Sequence, residues 1–275
     1  MNYNLVSVYI PTHNRKDLVI RAIESVLSQT YSDIEVIVVD DGSTDNTYQH
    51  LKSIYEYNEK VVLIRNEISK GACYSRNTAI ERANGYFITG LDDDDYFEPD
   101  RIDLFVKSWS DNVSALYSDL KLKKSDGIAV YNRPVVVGVD DIFASNCVGN
   151  QVFTKKSYLI DVGLFDEKLP AWQDYDLWIR LIKMHGNMVV CRGTTYVMDV
   201  SHPHERISKN TDKVKLAYDI FVHKHSRQKI DTLMFLNSYL SYPGVNIEFS
   251  HFLSYVKHSR FKLFFLIFLK KILGI

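Results

Sequence analysis

The run Tyr86-Phe87-Ile88-Thr89-Gly90-Leu91-Asp92-Asp93-Asp94-Asp95-Tyr96 sets four consecutive carboxylates directly after an apolar stretch. The apolar half reads as a buried strand and the acidic half as the loop that leaves it. So much like charge at a strand end demands a counter-cation. Oxygen-only ligands favour a hard divalent ion, Mg²⁺ or Mn²⁺, whose shell is commonly completed by substrate phosphates. The competing reading is a solvated loop or helix start, and Glu98-Pro99-Asp100 just downstream suits a helix N-terminus.

Similar strands precede and follow this one. Leu5 to Ile10, Ile34 to Val39, Val61 to Arg65, Tyr86 to Gly90 and Ser114 to Tyr117 are predicted strands, rich in β-branched residues. Lys16 to Gln29 places Leu18, Val19, Ala22, Ile23, Val26 and Leu27 at helical spacing, and two more helices are predicted after Ser43 and Gly71. Near-continuous apolar strands separated by helices imply an α/β fold, a mostly parallel sheet flanked by helices on both faces. Such sheets bind ligands beyond the carboxyl ends of their strands. Pro11-Thr12-His13-Asn14-Arg15, Asp40-Asp41-Gly42-Ser43 and the aspartate run all fall at such ends.

Composition narrows the class. The chain has 275 residues, 46% hydrophobic and 13% aromatic, which is ample for one large domain plus an extension. A net charge of −1 argues against a broad nucleic-acid surface. Residues 201–275 carry 12 Lys and Arg against 5 Asp and Glu, so the tail is basic and the body acidic. Cys73, Cys147 and Cys191 lack disulfide-framework or zinc spacing, and the N-terminus has no secretory pattern. A cytoplasmic protein is expected.

Asp40 and Asp41 can accept hydrogen bonds from a nucleobase imide or a ribose hydroxyl. Alternatively, Ser43 or Thr44 caps the following helix. Arg76, in Gly71-Ala72-Cys73-Tyr74-Ser75-Arg76-Asn77, falls early in a helix, where free N–H groups and the dipole favour an anion.

Taken together, and with Gln173-Asp174-Tyr175-Asp176-Leu177-Trp178, these segments resemble the family 2 glycosyltransferases of the GT-A nucleotide-sugar-binding fold. The match covers roughly the first two thirds of the chain, and the order and spacing of the pieces carry it. The resemblance implies that Pro11, Thr12, Asn14, Asp40 and Asp41 surround the nucleoside, with one of the paired aspartates reading a uracil or thymine imide. Arg76 would lie near the base or diphosphate. The Asp-x-Asp motif falls on Asp92-Asp93-Asp94, with Asp94 the direct Mn²⁺ or Mg²⁺ ligand, and Asp92 and Asp93 nearer the ribose or the metal's waters. Asp92 is the second metal candidate, and Asp95 is expected to cap the next helix.

By the same match Asp174 is the base that takes the proton of the acceptor hydroxyl in inverting transfer. Gln173 stands where a glutamate is commoner, which bears on acceptor contacts. Asp174 and Asp176 also suit the start of an amphipathic helix. In His202-Pro203-His204-Glu205-Arg206, the resemblance implies a histidine that completes the metal shell or touches diphosphate, with His204 preferred over His202 and Arg206 a phosphate partner. Trp172 and the stretch 146–151 would shape the acceptor pocket, although Trp172 suits packing equally.

The expected organisation is a transferase domain over 1–210 and a basic, mostly helical extension over 211–275. The closest resemblance is to bacterial enzymes of surface polysaccharide synthesis (O-antigen or capsule), whose acceptors ride on polyprenyl diphosphate. The run Phe261 to Leu273 is too short to span a bilayer. With Lys262, Lys270 and Lys271 it suits an anionic membrane surface at the inner face of the plasma membrane, or else a packed terminal helix. Two rival functions are a sugar-phosphate nucleotidyltransferase, which would need a Gly-rich basic loop after the first strand, and a sugar-nucleotide-binding scaffold without turnover.

Overall fold

The computed structural model describes residues 4–202, 210–226, 228–242, 244–257, 265, 268 and 269. Strands β1 (Val6–Thr12) and β2 (Ile34–Asp40) are buried at every position, as expected for a sheet covered on both faces. They pair in parallel, with Thr12 opposite Asp40; β3 (Val61–Arg65) adds to β2 and β4 (Phe87–Gly90) to β1, both parallel. Three polar segments therefore leave the same edge of the sheet.

Alternation along these strands feeds two cores. Val6, Val8 and Ile10 of β1 pack with Val19, Ala22, Ile23 and Val26 of α1 (Lys16–Leu27) and with Leu51 and Tyr55 of α2 (Thr47–Tyr55). Tyr9 points the other way, into a cluster with Ala79 and Ile80 of α3 (Ala72–Arg82).

The remaining sheet is mixed. Its order is β3-β2-β1-β4-β9-β6-β10-β5, where β5 spans Tyr96–Phe97, β6 Ala115–Lys124, β9 Phe153–Lys155 and β10 Met188–Asp199. The short strand β9 runs antiparallel to both β4 and β6, while β10 runs parallel to β6. The sequence-based strand at Ser114 to Tyr117 thus extends to Lys124. Beyond Leu120 it leaves the core and forms a hairpin with β7 (Gly127–Tyr131), whose exposed, lysine-bearing partners hide the strand from an apolar-run reading.

Two predicted caps are corrected. At α2 the N-cap position is Asn46, which makes no side-chain cap bond, and the Thr47 N–H is taken by Asp45 Oδ1 at 3.0 Å rather than by Ser43 or Thr44. Asp95 does not cap α4 (Arg101–Ser108); it is buried and bonded to β10, because the turn after Asp94 aims its carboxylate inward.

Three further helices, α5 (Val139–Ala144), α6 (Lys156–Asp161) and α7 (Gln173–His185), precede the C-terminal helices α8 (Thr211–His225), α9 (Lys229–Leu240) and α10 (Phe249–Lys257). Val214, Ala217 and Phe221 of α8 and Phe235 of α9 share one core cluster with Tyr175 and Trp178 of α7. Asp176 locks the two regions together: its carboxylate accepts from Arg180 at 2.7 Å, His225 at 2.6 Å and Lys224 at 2.9 Å, with no exposure of its own. Burial alone would raise this carboxyl, but the His225 hydrogen bond and the Arg180 and Lys224 charges hold it well below the usual range.

Because its folded pKa is depressed, Asp176 contributes stability that is present above the unfolded value of about 3.9 and is lost as pH falls below it. Asp176→Ala should cost about 1–3 kcal/mol in denaturant unfolding at neutral pH, because it leaves the buried His225 Nε2 without its acceptor. The gap between parent and variant should narrow below about pH 4; an unchanged midpoint at neutral pH would show that the cluster holds nothing together.

Among the described residues no helix is long and apolar enough to cross a membrane. His204, Arg206 and the three lysines of the terminal run lie outside them, while Phe265, Phe268 and Leu269 of that run are exposed.

Candidate active site

The three polar loops converge on a cavity of about 630 Å³ lined by the ends of β1, β2 and β4 on one side and by α7, α8 and the 242 turn on the other. Pro11, Thr12, Asp41, Arg76, Asp92, Asp93, Asp94, Trp172, Gln173 and Asp174 all line it. Residues predicted from distant parts of the chain are thus brought to one place.

Two expected nucleoside contacts stand behind the wall instead. Asn14, at φ 54°, locks the β1 loop to the β2 loop, accepting the Thr44 N–H at 2.8 Å while its own N–H donates to Ser43 Oγ at 2.9 Å. Asp40 is buried, and its Oδ1 accepts the Ser43 N–H at 2.9 Å. Of the paired aspartates, Asp41 is the one at the cavity. It accepts from Asn66, Ser69 and Ser75 side chains and from the Lys70 and Gly71 N–H groups, at 2.7 to 3.0 Å. Burial alone would raise its pKa, but these donors bring it down to about 2, so it is a fixed anion at neutral pH.

The aspartate run is divided by its partners. Asp92 accepts from Arg76 at 3.0 Å, Asn150 at 2.8 Å and Gln151 at 2.9 Å. Gln151 reaches it across Gly90, where a Cβ would sit 2.0 Å from Gln151 Oε1, so no other residue fits there. Asp93 accepts from Thr12 Oγ1 at 2.8 Å and Arg15 at 2.7 Å. Its burial raises the carboxyl to about 6; Arg15 opposes that shift and Asp94 adds to it. Asp94 lies 3.2 Å from Arg15 and 3.4 Å from His202 Nε2. Of the two histidines weighed from the sequence, His202 lies beside Asp94, and His204 lies outside the described residues.

Among the described residues no group of three or more His, Cys, Asp or Glu side chains forms a complete ligand set. A hard cation bound with a nucleotide needs no such cage, since one or two protein ligands, substrate phosphate oxygens and waters suffice. Asp94, on the wall of a cavity of excess negative charge, and the imidazole of His202 at 3.4 Å from it fit that requirement.

Across the cavity, Trp172 precedes α7 at φ 60°. A bulky residue rarely adopts this left-handed conformation, which carries strain of about 1–3 kcal/mol. It is held by the indole N–H donating to Tyr242 Oη at 2.9 Å and by edge-on packing against Phe221 of α8. Trp172 therefore both packs and lines the cavity. The helix so started presents Asp174, whose Oδ2 accepts from Asn146 at 3.0 Å. Burial raises the Asp174 carboxyl; the Tyr175 N–H and the Arg76 charge restrain the shift.

Several site residues were not predicted. At the end of the stretch 146–151, Asn150 and Gln151 both donate to Asp92, a pairing that no local pattern announces. Lys213 and Tyr242 line the cavity from beyond the expected domain boundary; the basic composition of the tail was the only available signal for Lys213.

Comparison with known proteins agrees with this geometry. Residues 7–148 match the family described as Glycosyl transferase family 2. The chain is 34% identical over 242 residues to an Escherichia coli K12 protein whose name assigns it to colanic acid biosynthesis as glycosyl transferase WcaA, covering 84% of each chain. It is 32% identical over 182 residues to Escherichia coli chondroitin synthase, covering 64% of this chain but only 26% of that one. In fold it is similar to Staphylococcus aureus TarS 1-349 in complex with UDP-GlcNAc, with a TM-score of 0.66 at 20% identity over 86% of this chain and 73% of that one. It is also similar to the mannosyltransferase PcManGT of Pyrobaculum calidifontis in complex with GDP-Man and Mn²⁺, with a TM-score of 0.61 at 14% identity over 97% and 86%.

Proposed function

Because the chain belongs to glycosyl transferase family 2, we propose that it moves one sugar from a nucleotide diphosphate donor, a UDP-sugar in the simplest case, to a hydroxyl of a glycan acceptor with inversion. The observation that carries this reading is the opposition, across one cavity, of the Asp92–Asp94 run and Asp174. The donor occupies the β-strand wall, where Thr12, Asp41 and Arg76 face the nucleoside and diphosphate. Asp94 and His202 would hold Mg²⁺ or Mn²⁺, which would supply positive charge at the departing diphosphate. Asp174 takes the acceptor proton as the oxygen attacks the anomeric carbon.

The acceptor occupies the wall of Trp172, Gln173, Tyr242 and Lys213. A neutral glycan needs no cation there. Lys213, on the same cavity, suits an acceptor bearing phosphate, in keeping with a sugar carried on polyprenyl diphosphate. The colanic acid and chondroitin names among the relatives support a role in surface polysaccharide synthesis. An enzyme using such acceptors works in the cytoplasm at the inner membrane face, and the basic tail suits that surface.

A panel of UDP-, GDP- and TDP-sugars, read by mass spectrometry for slow donor hydrolysis with and without metal, tests this reading and separates it from a scaffold without turnover. One UDP-sugar should be hydrolysed above background. Absence of turnover with every donor, or products that retain the donor's anomeric configuration, would overturn the enzymatic or the inverting part respectively.

A further inference from the structure

Resting on the metal reading above, we propose that Asp95 and Arg21 are positioning residues, which together hold Asp94 against His202 and so set the affinity of the site for a divalent cation. Asp94 precedes β5 and His202 follows β10; the β5–β10 ladder pairs Tyr96 with Val197 and stops short of both residues. Two further links continue the connection to them.

The first link runs through Asp95, which is 1% exposed. Its Oδ1 accepts the N–H of Asp199, the last residue of β10, at 2.9 Å, and its Oδ2 accepts the Tyr196 hydroxyl at 2.7 Å. The Tyr196 hydroxyl in turn accepts from Asn150 at 3.1 Å, and Asn150 also donates to Asp92. The second link runs through Arg21 of α1. One Nη donates to the backbone carbonyl of Asp94 at 2.5 Å and the other to Asp199 Oδ2 at 2.6 Å. Asp199 Oδ1 then accepts from the N–H of Ser201 at 3.0 Å, fixing the turn that delivers His202.

Asp94 is therefore clamped to the end of β10 from both sides, by its own carbonyl through Arg21 and by its neighbour's carboxylate through the Asp199 amide. Neither residue faces a ligand, and both act on the ion only through Asp94 and His202. Partners of this kind typically carry 10- to 100-fold in metal affinity, because a misaimed pair loses one of its two ligands at a time.

The test is direct Mn²⁺ titration of the full chain by electron paramagnetic resonance, with and without UDP, for the parent, Arg21→Met, Arg21→Lys and Asp95→Asn. Arg21→Met and Asp95→Asn should weaken Mn²⁺ binding about 10- to 100-fold while UDP binding measured in EDTA stays at the parent value, and Arg21→Lys should recover part of the loss. The Arg21 side chain is 34% exposed, so Arg21→Met keeps the test open if Asp95→Asn does not fold. Variants that lose thermal stability but bind Mn²⁺ as the parent does would overturn the proposal and leave the metal reading standing. A parent chain that binds no Mn²⁺ in either condition would overturn both.

Discussion

Asp174→Asn should lower kcat by about 10²- to 10⁴-fold, the range of a positioned general base, while donor affinity stays close to that of the parent. The split follows from position. Asp174 lies on the α7 wall with Asn146, and its carboxylate makes no hydrogen bond to Thr12, Asp41 or the aspartate run. Its burial raises the carboxyl, so the catalytically competent anion forms at higher pH than in an exposed aspartate. The acid limb of the kcat/KM profile of the parent should accordingly lie above that of an exposed aspartate. The same shift has a sign for stability: a carboxyl whose folded pKa is raised is penalised once pH exceeds the unfolded value, so removing its charge should hold or raise Tm at neutral pH. A variant that is more stable, binds donor and does not turn over is the expected outcome. If Asp174→Asn weakened donor binding and left kcat intact, the residue would belong to the donor site and another group would have to serve as the base.

That residue also marks where sequence reading reaches. The parallel strands were legible because both their faces are buried, so Val6–Thr12 and Ile34–Asp40 are nearly unbroken apolar runs, each ending in the polar residues of the site. The second half of the sheet was not. β9 has three residues, and β10 carries a register shift between Cys191 and Tyr196, which breaks any simple period. Among the site residues, Asp92, Asp94 and Asp174 announce themselves by local motif, and the structure brings them to one cavity. What local motif does not report is the pairing between motifs. Asn150 and Gln151 reach Asp92 from a loop with no pattern of its own, and Asp95 has the same local signature whether it caps a helix or turns inward to β10. Likewise, no local pattern reports that the turn fixed by Asp199 and Ser201 sets His202 beside Asp94.

Chelation with EDTA, or Asp94→Asn, should lower transfer about 10²-fold or more, since a metal at a leaving diphosphate supplies several kcal/mol of charge stabilisation and each 1.36 kcal/mol is tenfold in rate. The effect should fall on chemistry and on donor binding but spare the fold. Arg15 already partners Asp93 at 2.7 Å and Asp94 at 3.2 Å, and Arg76 partners Asp92 at 3.0 Å, so withdrawing the ion does not leave three carboxylates facing one another. Tm in EDTA should therefore stay near the value in Mn²⁺ when no nucleotide is added, and the gap should open only with UDP, whose phosphates complete the coordination shell. His202→Ala should weaken Mn²⁺ binding, because its imidazole lies 3.4 Å from Asp94. Undiminished transfer in EDTA, or in Asp94→Asn, would remove the metal from the reaction and would leave Arg15 and Arg76 as the cations that meet the diphosphate.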